Sequence, residues 1–306
     1  MFSWLSRFTK PATQPAAAAP RSSKPPTKTE AQVPPAAEPQ SLSTWSWLLN
    51  TGLPHDEPMA PHEQALLEPV RAMLALDTLP DNLVPRASAV IPQLLRALRQ
   101  ESGSRKEVVE RIAKDQLLTA EVLRLVRSPL YRTQTPIASL DAAVSIIGTS
   151  GVHSAISRVV LKPIFAQSQQ GLVAAASSRT WQFAERQGEV CAGMAAEAGL
   201  EWFDGFLAGT LHGVGRTALL KILDTAGAET QPLWPCSKAW DAALSLLANQ
   251  LFAKLALQWD IAPALTTAAR AVQDPAAAGT AGPPPLAGIW VASEQRTLML
   301  LSSAAT

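Results

Sequence analysis

A chain of 306 residues, 47% of them apolar, can bury a substantial core in one or two domains. Its 26 basic and 25 acidic side chains give a net charge of +1, but five basic and two acidic groups fall within residues 1–40, leaving the remaining 266 residues at about −2 and without a general attraction for phosphate backbones. Two cysteines, Cys191 and Cys236, exclude a disulfide framework at this size.

Residues 1–10 (MFSWLSRFTK) are too short, and too interrupted by Arg7 and Lys10, for a secretory leader. Phe2, Trp4, Leu5 and Phe8 suit at most one brief amphipathic turn with little area to bury. Residues 11–40 hold eight prolines among Ala, Ser, Thr and Lys. Proline removes donors and blocks helix, so 1–40 is expected to be a disordered tail. No stretch reaches the roughly 18 consecutive apolar residues of a membrane span. A bacterial-type cytoplasmic protein is the expectation.

Residues 41–76 read as a linker and a leading helix. Trp45, Trp47, Leu48 and Leu49 form an apolar island, and Pro69 suits the first turn of a helix that Leu79-Pro80 stops. A body over 77–302 follows, with an N-terminal helical half (77–165) and a C-terminal half (172–302). Pro92 opens a helix ending near Gly103. Ser104 and Glu107 form a capping-box pattern ahead of Val108, Val109 and Ile112. The next helix carries Leu118, Val122, Leu125 and Val126, and Ser128-Pro129 ends it. Ser139 caps a helix that Gly148 terminates, and Ser150 opens another towards Pro163. Longer helices are expected near 172–198, 204–223, 237–259, 263–272 and 285–302, with a connector over 274–285. No alternating strand pattern stands out. The fold class is all-α, two helical halves packed together.

A series of short motifs runs through this body: Leu79-Pro80; Glu110-Arg111-Ile112-Ala113-Lys114-Asp115; Leu123 to Tyr131; Ile137 to Ala143; Ile146-Ile147-Gly148; Phe206-Leu207-Ala208-Gly209 and Leu211-His212-Gly213-Val214-Gly215; Leu255 to Trp259; and Pro263. Their order and spacing over about residues 77–300 resemble the HDOD domain, an output domain of bacterial signalling proteins related to HD phosphohydrolases. The chain departs from that pattern at several places. Gln116 stands where proline is common, Arg127 where asparagine is, Phe183 near the slot of an upstream histidine, and Arg216 where lysine is usual.

In the catalytic relatives an adjacent His-Asp pair binds a divalent metal that activates water. The resemblance puts His212 in that pair and Gly213, which has no donor atom, in the aspartate slot. With four histidines in the chain, two of them (His55 and His62) ahead of the body, no closed metal shell assembles. No metal, no cofactor and no catalytic residue is therefore expected. No glycine-rich phosphate loop or nucleophilic triad stands in their place.

His212 has two readings. It can contact a nucleotide or partner in a vestigial cleft, with Arg216 one turn on as a phosphate contact and Arg127 as a further candidate ligand or partner contact. Alternatively it hydrogen-bonds across a helix junction while Gly213 and Gly215 allow close packing. The second is preferred, because no further polar anchor converges on it.

A non-catalytic signalling module acting through a protein partner is the leading functional expectation. The alternative is a sensor of a nucleotide or cyclic dinucleotide without turnover. A residual hydrolase and a DNA-binding protein rank behind both. Residues 104–127 superficially suggest a helix-turn-helix, but six basic groups among four acidic ones and a largely apolar second helix favour a packed pair.

Overall fold

A computed structural model describes residues 42–84, 90, 94, 104–128, 131, 137, 139–165, 170–228, 235–274 and 284–303. The tail of 1–40 with its aromatic turn, most of the helix after Pro92 and most of the 274–285 connector lie outside the described residues. Within them the chain is helical and has no strand, only an isolated bridge between His55 and Ser237.

The helices are α1 (Thr44–Leu49), α2 (Pro61–Ala75), α3 (Arg105–Lys114), α4 (Gln116–Val126), α5 (Leu140–Phe165), α6 (Gly171–Glu197), α7 (Trp202–Thr225), α8 (Lys238–Trp259), α9 (Pro263–Gln273) and α10 (Pro285–Ser303). Their ends follow local chemistry. The Ser104 hydroxyl accepts from the Glu107 N–H, and the Glu107 carboxylate accepts from the Ser104 N–H at 2.9 Å, the reciprocal cap its sequence predicts. Asp115 caps α4 by accepting from the N–H groups of Leu117 and Leu118. Gly148, at φ 64°, breaks α5 into two segments without an intervening loop.

One expected start is corrected. Pro61 opens α2, and Pro69 lies inside it. Pro69 removes one helical hydrogen bond, but burial of Leu66, Leu67 and Val70 against the body carries the helix past it.

α6 and α7 run antiparallel: Gly205 meets Ala195 and Cys191, Gly209 meets Gln187 and Cys191, and Gly213 meets Ala184. α8, α9 and α10 pack against this hairpin, and α5 packs against both of its helices. α5 has the length and mean hydropathy of a membrane span, yet 56% of that apolar window is buried by neighbouring helices. Its Arg158, 3% exposed, bonds Glu185 and Glu189 of α6, the latter at 2.8 Å. Arg124 of α4 joins the same carboxylates through Glu185. This ion network fastens α4 and α5 to α6.

The apolar island becomes α1, with Trp45 and Leu48 fully buried against α6 and α10. α2 is anchored by a buried carboxylate. Glu63 accepts from the Ala60 N–H and from the N–H and hydroxyl of Ser237, each at 2.8 Å, while its own carbonyl accepts from the Trp240 indole. Burial alone would raise the Glu63 pKa, but those donors outweigh it and hold the carboxyl below its ordinary value.

Candidate functional site

His212 and Arg216 lie one turn apart on α7 and face the interior, 3% and 2% exposed. Gln187 of α6 reaches both. Its amide nitrogen donates towards His212 Nδ1 at 3.0 Å and also faces the Trp290 carbonyl and Ser293 Oγ, while its Oε1 accepts from Arg216 Nη1 at 3.2 Å. Arg216 Nη2 pairs with Glu294 of α10 at 3.1 Å and lies 3.4 Å from His212 Nδ1. The guanidinium covers the Phe183 ring at 4.6 Å. Asn249 of α8 hydrogen-bonds His212, and its Oδ1 accepts from Trp290 Nε1 at 2.8 Å. Cys191 donates to Ser293 Oγ, completing a polar centre joined to α6, α7, α8 and α10.

The electrostatics follow from this enclosure. Burial, and then the charge of Arg216, push the His212 pKa down to about 3, so the imidazole is neutral. Its Nδ1 therefore accepts, and its Nε2 carries the proton towards Asn249. Burial opposes ionisation of Glu294, but Arg216 and a hydrogen bond from Thr44 help hold its pKa below the ordinary value. Burial pushes the Cys191 thiol up to about 12, which leaves it protonated and unreactive.

Gly213 faces Ala184 of α6 and Phe165 of α5. A Cβ there would stand 2.9 Å from both Ala184 Cβ and Phe165 Cε1, so helix contact requires glycine. Gly215 is tighter still, against the Ala248 carbonyl and Phe252 of α8. The structural reading of His212, a hydrogen bond across packed helices, is the arrangement present.

The third predicted contact, Arg127, is not brought to this centre. It is exposed at the end of α4. Gln187, Asn249, Ser293 and Glu294 escaped the sequence reading. A signal for them exists: Phe183, Gln187 and Cys191 share one face at i, i+4 spacing, and Glu294 adjoins the buried stripe of Leu286, Trp290, Ser293 and Thr297.

The class this defines is an all-helical body with a buried, histidine-centred junction between its long helices. The chain matches the HDOD domain over residues 84–275 and belongs to that family. In fold it is similar to a protein of Shewanella amazonensis SB2B, named provisionally as a metal-dependent phosphohydrolase, at 19% identity and a TM-score of 0.51, over 76% of this chain and 82% of that one. A second similar structure is an HDOD domain protein of unknown function from Geobacter sulfurreducens, at 19% identity and a TM-score of 0.47, over 76% and 78% of the two chains. No curated protein matches the chain.

The residues at this centre do not fit a divalent metal of the kind that the name of the Shewanella protein would imply. The single imidazole accepts from Gln187 and faces a guanidinium, whose charge repels a cation. Glu294 is already paired with that guanidinium. Among the described residues no three His, Cys, Asp or Glu side chains converge as a metal cluster.

Proposed function

We propose that the protein is a non-catalytic signalling module of the bacterial cytoplasm, whose helical body acts by binding a partner protein. The observation that carries this reading is Arg216. A fixed positive charge, 2% exposed, lies among His212, Gln187, Glu294 and the Phe183 ring, where a hydrolase needs room for a cation and a water. Phe183 and Gly213 in the neighbouring slots add no donor. A cleft sensor of nucleotides has less support at this centre, because neither His212 nor Arg216 offers surface to a ligand and Arg127 lies elsewhere.

The test joins two measurements on the purified protein. Elemental analysis is expected to find no stoichiometric metal, and incubation of nucleotides and cyclic dinucleotides with magnesium, manganese or zinc is expected to give no turnover above buffer. Metal-dependent hydrolysis that His212→Ala abolishes would overturn the reading. Capture from the native host, followed by mass spectrometry, is expected to return a signalling protein.

A further inference from the structure

Away from the buried centre, α4, α6 and α10 enclose an open cavity of about 530 Å³. That size lies within the range of small-molecule sites, roughly 300–1,000 Å³. Its floor is apolar, with Val190 and Met194 from α6 and Leu300 from α10. Gly193 deepens it, since a Cβ placed there meets no atom within 4 Å. Three guanidinium groups come to the rim from three helices: Arg124, Arg186 and Arg296.

Two of these are paired with carboxylates, one of which, Glu189, itself lines the cavity. Arg124 uses Nε and Nη2 on Glu121, at 2.9 and 2.7 Å, and Nη2 also on Glu185, which leaves Nη1 uncommitted. Arg186 uses Nη1 on Glu189 at 2.6 Å and keeps Nε and Nη2. Glu189 also accepts from buried Arg158, so its two oxygens are both engaged; these arginines hold its pKa below the ordinary value although burial would raise it. Arg296 makes no hydrogen bond or ion pair with the described residues and is exposed. Glu197, also on the rim, remains as an acceptor for a ligand hydroxyl or amine.

We propose that this cavity binds a small amphiphilic anion: a carboxylate, phosphate or sulfonate carried on an apolar body. The anion lies between Arg296 and the free donors of Arg124 and Arg186, where planar guanidinium groups match two oxygens at once. The apolar body fills the space over Gly193 against Val190, Met194 and Leu300. Such a ligand bridges α4 of the N-terminal half to α6 and α10 of the C-terminal half. This site goes beyond the partner-binding reading and uses none of the residues around His212.

Anilinonaphthalene sulfonate, an anion on an aromatic body, is the probe. Titrated into the full chain at low salt, it is expected to fluoresce at one saturable site and to be displaced by phenyl phosphate or phenylacetate. Arg296→Glu removes the unpaired guanidinium, and Gly193→Phe fills the floor. Each is expected to weaken binding roughly tenfold or more, as for loss of a charge-assisted hydrogen bond or of the pocket's space. Thermal unfolding of both variants, expected unchanged, checks the fold; Arg296→Gln and Gly193→Leu replace any variant that does not fold. No saturable site, or one that either folded variant leaves unchanged, overturns the proposal.

Discussion

An aspartate at position 213 would not rebuild a hydrolase centre, because its Cβ would press into Ala184 of α6 and Phe165 of α5. Gly213→Asp combines overpacking with a buried, unpaired carboxylate, so it is expected to destabilise by about 3 kcal/mol or more. Urea denaturation measures this, and metal retention should stay absent. His212 has a pH signature. Its folded pKa of about 3 lies below the ordinary 6.5, so the unfolded chain binds the proton first. The stability conferred by the neutral imidazole is full above about pH 6.5 and is lost as pH falls towards 3, with a slope of up to about 1.4 kcal/mol per pH unit. Half-buried His153 adds a contribution of the same sign, its pKa lowered by burial. Denaturation from pH 5 to 7 should therefore show a steeper acid loss in the native chain than in His212→Gln. A single residue type made Gly213 legible as a missing donor, whereas helical spacing marks Gln187 and Glu294 only as members of buried stripes and does not say that the first meets His212, 25 residues on, or that the second meets Arg216 from another helix.

Between elements, the ion network on α5 decides how its apolar length is used. Arg158 lies on a helix apolar enough for a membrane, and its pairing with Glu185 and Glu189 ties that helix to α6. Removing one partner of a buried pair costs about 3–5 kcal/mol when the other charge is left alone. Here the carboxylates are 23% and 25% exposed, and Arg124 and Arg186 remain beside them. Arg158→Met is therefore expected to cost less, about 2 kcal/mol, with the loss appearing in the denaturation midpoint. Helix ends were the most legible feature of the chain: Ser104 with Glu107, Gly148 and Pro263 act through neighbours a few residues away. Pro69 misled because its local veto is weaker than burial of the apolar face around it. Glu63 gave no signal, since its donors on Ser237 lie 174 residues further along.

For the molecule as a whole, α1 and α2, which lie ahead of the family match, are part of the core. Trp45 and Leu48 of α1, and Leu66, Leu67 and Val70 of α2, are each no more than 6% exposed. At about 1.5–3 kcal/mol for each large apolar side chain, their burial amounts to roughly 10 kcal/mol, comparable with the whole stability of a typical domain. Thr44 also supplies a hydrogen bond to Glu294, and Glu63 secures the start of α8 through Ser237. A chain beginning at Asp77, the boundary that sequence patterning suggests, would uncover Trp240 and leave Glu294 short of a donor. It is expected to lose cooperative unfolding and bind hydrophobic dyes broadly, whereas a chain beginning at Leu42 unfolds in one transition. Calorimetry of the two chains decides the matter: a sharp transition for the Asp77 chain near the midpoint of the longer one would show that α1 and α2 add little to the fold.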